Sequence, residues 1–159
     1  MSQFTKILVV SPLADGRNWY LREEFRYEIG SVGSGNTVEV SSGFVTDFAS
    51  VPRPLWWIIP TWGKYGNAAV IHDFCYRDQS RGRKESDDIL HEAMIVLEVG
   101  WFKRTLIHRA VRIFGGLAWW GAKRAKKRGE VRVVDTPPEK SVETRQDVMK
   151  RALEPNLEN

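Results

Sequence analysis

Between residues 19 and 29 apolar and polar positions alternate. Trp19, Leu21, Phe25, Tyr27 and Ile29 fall on one side, and Tyr20, Arg22, Glu24, Arg26 and Glu28 on the other. Successive side chains of an extended chain point to opposite faces, so a period of two predicts a half-buried antiparallel strand. Residues 4–10 form another β-rich run, closed by Ser11-Pro12 and the turn pair Asp15-Gly16. After a loop over residues 30–36, residues 37–40 supply a further short strand. A three-stranded meander is the simplest arrangement of these pieces.

The pattern changes in the second half. Residues 41–66 are punctuated by Gly43, Pro52, Pro54, Pro60 and Gly63 and read mainly as loop, with a turn of helix over 54–59 opened by Pro54. Residues 67–79 carry Ala68, Ala69, Ile71, Cys75 and Tyr76 without a breaker, which predicts a helix. A second helix is expected to open at Ser86 as N-cap, with Asp87 and Asp88 at its positive end. Its apolar face is Ile89, Leu90, Ala93, Met94 and Leu97, and Gly100 is its expected stop. A third helical segment, 102–128, is expected to break at Gly115-Gly116. The fold class is therefore α+β: a short N-terminal antiparallel β-meander followed by a helical half containing a helix hairpin. At 159 residues the chain suits one domain, assigned to residues 1–130. Residues 131–159, polar and marked by Pro137-Pro138, read as a flexible tail with a marginal helix near 144–153.

Chemistry concentrates in His72-Asp73-Phe74-Cys75-Tyr76. On a helix Tyr76 lies one turn after both His72 (i+4) and Asp73 (i+3), so the three share a sector. The imidazole is a base near neutral pH, and the carboxylate can hold a hard cation through oxygen. If the two helices form an antiparallel hairpin, Asp87 or Asp88 returns towards His72. A carboxylate on the far ring nitrogen would fix the tautomer whose other nitrogen takes a proton from water. The candidate catalytic residues are thus His72, Asp87 or Asp88, and Tyr76. Candidate metal ligands are Asp73 and, from the loop over residues 43–52, Asp47. The competing reading is structural: a hydrogen-bond cluster tying helix to loop, with Asp87 and Asp88 as first-turn acids, Cys75 as a small core residue and His91 on the surface. A His-Asp metal phosphohydrolase would need a further histidine upstream, and none precedes His72.

The loop Thr46-Asp47-x-Ala49-Ser50-Val51-Pro52, the Pro/Trp-rich stretch after it, and Ile71-His72-Asp73 with Tyr76 resemble a family of small uncharacterised proteins encoded mainly by bacteriophages and prophages. The resemblance spans residues 43–94 and implies a phage or prophage origin, but no activity. A second, local resemblance is to the catalytic helix of phospholipases A2, whose signature ends in His-Asp-x-Cys-Tyr. The prokaryotic branch, with His-Asp-Phe-Gly-Tyr-Arg, is similar through Arg77. That resemblance implies His72 as the base activating water, Asp73 as a ligand of a calcium cofactor, and Asp87 or Asp88 orienting the histidine. Ala68 and Ala69 stand where that family has cysteines, and its glycine-rich calcium loop has no counterpart. The β-rich first third is foreign to that fold.

Of the chain's 24 Lys and Arg, nine lie between Trp101 and Gly129, where there is no acid; the other 15 face all 20 acids. Such asymmetry points to an anionic partner. Trp119 and Trp120 followed by Lys123, Arg124, Lys126, Lys127 and Arg128 suit anionic lipid, and the same composition suits a nucleic-acid backbone. Other phage proteins are a third class of partner. The plainest reading is a core helix ending in a solvated basic turn.

One cysteine allows no internal disulfide, so a reducing compartment is acceptable. The apolar run 7–10 is too short for a signal peptide, and 113–122 too short for a membrane span. The expected place is the bacterial host cytoplasm or the virion, as a soluble protein. The expected function is phage-encoded, metal-assisted hydrolysis of an ester, with lipid as candidate substrate. The alternative is a non-enzymatic virion or accessory protein of head, tail or lysis.

Overall fold

The strand expected over residues 19–29 is two strands belonging to different sheets. In the computed structural model, which describes residues 2–13, 15, 18–48, 64–130 and 133, the chain leaves β3 (Trp19–Leu21) and re-enters as β4 (Phe25–Glu28). The break falls on the charged triplet Arg22-Glu23-Glu24. Leu21, Phe25 and Tyr27 are fully buried as the alternation requires, but Tyr20 on the other side is buried as well and Glu23, in phase with them, is exposed.

Two small antiparallel sheets replace the single meander. One has the order β1 (Gln3–Phe4), β4, β5 (Thr37–Val40); the other has β2 (Val10–Pro12), β3, β6 (Val45–Thr46). In the first, Phe25 faces Val40 and Tyr27 faces Val38, and all four are buried. Phe4 stacks on Phe25 at 5.5 Å and leans on Tyr27 at 4.7 Å between ring centres. Cross-strand aromatic and β-branched pairs of this kind stabilise a sheet beyond their area burial. β6 lies in the stretch read as loop: Thr46 pairs with Trp19 and Val45 with Tyr20.

Three helices follow. α1 (Gly66–Asp78) packs against α2 (Arg83–Val96), α3 (Trp101–Lys127), β5 and β6. It is buried almost all round, which explains why its small and apolar residues show no single stripe. Gln79 ends it in the left-handed region, its N–H bonded to the Cys75 carbonyl.

α2 opens four residues earlier than expected, so Asp87 and Asp88 lie beyond its first turn, where Glu85 is the acid. Gly82 is its N-cap, and Ser86 is a buried first-turn residue whose Oγ donates back to the Gly82 carbonyl at 3.1 Å. The helix formers Arg83, Lys84 and Glu85 extend it, with Lys84 paired to Asp88 at 2.7 Å. Its end is a left-handed turn at Glu98, where the Val99 N–H bonds the Met94 carbonyl; Gly100 instead begins α3.

α3 runs unbroken through Gly115-Gly116. Gly115 is there for space: a Cβ at this position would collide with the Tyr76 hydroxyl. The core lies between sheets and helices, with Phe25, Tyr27, Phe48, Ile71 and Met94 among its largest members. No helix of the described residues is long and apolar enough to cross a membrane. The expected turn over 54–59 and the tail helix near 144–153 lie outside the described residues. Val133, which is described, bridges Phe44.

Candidate active site

The short connection between α1 and α2 forms the expected hairpin and brings Asp87 against His72. The His72 Nε2 lies 3.1 Å from Asp87 Oδ1, and the Tyr76 hydroxyl donates to the same oxygen at 2.6 Å. His72 and Tyr76 sit side by side with ring centres 4.2 Å apart, as their i, i+4 spacing requires. Asp87 is fully buried and His72 is 1% exposed.

Two arginines complete the carboxylate's surroundings. Arg112 of α3 donates to Asp87 Oδ2 at 3.0 Å, and Arg83, one turn before Asp87 on α2, lies 3.7 Å from that oxygen. Arg83 also donates to the Arg112 backbone carbonyl at 3.1 Å, linking the two helices. Neither arginine was singled out in the sequence. Arg83 had a signal, its i−4 spacing to Asp87; Arg112 reaches the site only through the packing of α3.

These contacts fix the protonation pattern. Burial pushes the Asp87 carboxyl up, but hydrogen bonds from His72, Tyr76 and Arg112 outweigh it and hold the group below its ordinary range. Burial lowers the His72 pKa against the opposing pull of Asp87, so the imidazole is neutral. The Tyr76 phenol is pushed up, first by burial and then by its bond to Asp87, and stays protonated. An ionised carboxylate only accepts hydrogen bonds, so the single imidazole proton sits on Nε2. Nδ1 then carries the lone pair. It is buried and has no hydrogen-bond partner among the described residues.

Asp88 does not join this cluster. It lies on the exposed side of α2, bonded to Lys84 at 2.7 Å and 3.3 Å from His108 Nε2. Neighbouring positions on a helix point about 100° apart, so only one of the two acids can face α1. The His91 ring leans on that of His108, 4.9 Å between centres and tilted by 39°, away from His72's immediate partners. Cys75 is a core residue whose thiol burial pushes up to about 12, which does not suit a nucleophile.

Asp73 faces the sheets. The Thr46 hydroxyl donates to its Oδ2 at 2.7 Å and also accepts from the Phe48 N–H. Asp47 follows Thr46 directly, so its backbone lies one residue from this contact. Calcium takes about six to eight oxygens. Among the described residues no three His, Cys, Asp or Glu side chains are grouped to hold a metal ion, so those residues alone do not fit calcium.

Residues 19–111 match the family described as protein of unknown function DUF1353. The chain belongs to that family. The matched span runs from β3 into α3 and holds His72, Asp73, Tyr76 and Asp87, while Arg112 and Gly115 lie just beyond it. No curated protein and no solved structure matches the chain.

Trp119 was expected on a partner-binding surface. It is half-buried, with its ring edge-on to Tyr76 at 5.1 Å and its carbonyl accepting from Gln79 at 2.9 Å. Trp120 is exposed. Two cavities lined by described residues lie elsewhere. One of about 300 Å³ is beside Cys75, Asp78 and Arg81, and one of about 410 Å³ is between Ile29, Lys84 and Glu92.

Proposed function

We propose that this protein is a hydrolase of phospholipase-like chemistry acting on an ester. The observation that carries the reading is the His72 Nε2 to Asp87 bond, with Nδ1 left as a neutral, unpartnered base. In the proposed reaction a water attacks the ester carbonyl and Nδ1 takes its proton. The imidazolium is held by Asp87 and then gives the proton to the departing alkoxide as the C–O bond breaks. Tyr76 and Arg112 orient Asp87 and keep it ionised; they are positioning residues. Asp73 and Asp47 are the calcium ligands that the phospholipase resemblance implies, and no step above runs through the ion. A phage or prophage origin belongs to the same reading and rests on the sequence resemblance alone.

A second reading is favoured by the 1% exposure of His72 and 8% of Asp73. On it, the cluster is a buried polar network that locks α1, α2 and α3 together in a non-enzymatic virion or accessory protein.

Ester hydrolysis by the full chain, on a soluble aryl ester and on phospholipid vesicles, with and without calcium, separates the two. Hydrolysis lost in His72→Gln and retained in Cys75→Ala is the expected result. Hydrolysis unchanged in a folded His72→Gln protein would end the hydrolase reading, and no hydrolysis on either substrate would leave the structural one.

A further inference from the structure

α3 is apolar on two sides. Its inner side, Ile107, Ala110, Val111, Ala122 and Ala125, is buried. On the outer side Phe102, Ile113, Leu117 and Trp120 are exposed by 70, 71, 85 and 58%. With half-buried Leu106 and the cations Arg109, Arg124 and Lys127, these positions follow one another at spacings of three or four, so they form one stripe along the helix. Among the described residues the core is covered by the inner side, and the outer stripe stays exposed.

We propose that this outer stripe of α3 seats the protein on an anionic lipid surface. The exposed apolar residues favour lipid over a nucleic-acid backbone, and the charge pattern makes the surface an anionic one: α3 contains no acid, and Arg109, Lys123, Arg124 and Lys127 stand exposed on or beside the apolar positions. The Arg124 guanidinium lies over the Trp120 ring at 4.0 Å, so an indole and a cation occupy one spot, as an apolar–headgroup boundary demands. A second copy is a poor occupant. Antiparallel pairing about Leu117 would set Arg109 of one helix near Arg124 of the other, and parallel pairing would set like charges together throughout. The helix is not apolar enough to span a membrane, so it lies in the interface plane. The inference stands on α3 alone and does not need the hydrolase reading.

The test is sedimentation of the full chain with vesicles of phosphatidylcholine alone or mixed equally with phosphatidylglycerol, at low and high salt. Wild type and His72→Gln should both sediment with the mixed vesicles only, less so at high salt. Leu117→Glu, a substitution at an exposed site that keeps helix propensity, should lower the partition about tenfold or more. Arg109→Gln and Lys127→Gln should each lower it about fivefold. Circular dichroism checks that each variant is folded. No sedimentation of wild type, equal sedimentation with both vesicles, unchanged binding by Leu117→Glu, or a dimer dissolved by Leu117→Glu without vesicle binding would each overturn the proposal. Vesicle binding by a wild-type protein that hydrolyses neither ester would count against the active-site reading only.

Discussion

The hydroxyl of Tyr76 occupies the space in which a side chain at Gly115 would begin. It cannot withdraw without giving up its 2.6 Å bond to Asp87. Gly115→Ala should therefore destabilise the protein by about 1–3 kcal/mol, as overpacking does, although alanine is the better helix former. Gly116→Ala meets nothing within 4 Å and should stabilise by about 0.5–1 kcal/mol. Urea denaturation of the two variants gives the contrast. Tyr76→Phe should recover part of the Gly115→Ala loss, because the two positions are coupled.

Asp87 and Asp88 are neighbours in sequence with opposite fates. Asp87→Ala leaves His72 and Tyr76 without their shared acceptor and strands the Arg112 bond, at a cost of about 3–5 kcal/mol. Asp88→Ala removes an exposed pair with Lys84 and should cost less than about 1 kcal/mol. Equal losses in chemical denaturation would contradict the arrangement of α2.

His72 gives stability a defined dependence on pH. Its folded pKa lies below the ordinary 6.5, so the unfolded chain binds the proton more readily. The stability linked to it is complete above pH 6.5 and is lost as pH falls from there to the folded value. His91 is lowered too, by burial and by His108, so the slope of wild type combines both. His72→Gln should flatten the fall in melting temperature below pH 6.5 but not abolish it. Asp87, also lowered, contributes stability that is lost only in the acid range below its ordinary 3.8.

Thr46 donates to Asp73 across the junction between β6 and α1. Thr46→Val keeps the shape and removes the donor, and should cost about 1–3 kcal/mol, since hydrogen bonds to charged groups at buried sites exceed the neutral average. Thr46→Ser keeps the hydroxyl and should lose less. Urea midpoints of the two variants compare them directly.

The cluster's origin was readable in the sequence because it is local: His72, Asp73 and Tyr76 lie within five residues, and helical spacing alone puts His72 beside Tyr76. Its completion was only half readable. A hairpin returns α2 to α1, and Asp87 shares the buried apolar face through its i+3 and i+7 spacing to Leu90 and Met94, whereas the arrival of Arg112 from α3 has no local signal. Gly115-Gly116 does not break α3, for a reason that is likewise not local. Glycine is a breaker by local propensity, whereas here a side chain from another helix demands its smallness. Strand character was evident in the alternation from Trp19 to Ile29, but nothing in that period says that the charged triplet between Leu21 and Phe25 hands the chain to a second sheet.

That hand-over decides the order in which the β region can be completed. Neither sheet is one continuous stretch of chain: β2 and β3 lie between β1 and its partner β4, while β4 and β5 lie between β3 and its partner β6. As the chain emerges during synthesis, the β2–β3 and β4–β5 hairpins can close early from local contacts, but each sheet stays one strand short until a distant segment returns. β1 must wait for β4, and β3 for β6. No cut in this region can release one sheet whole, so the two are built, and lost, as a pair.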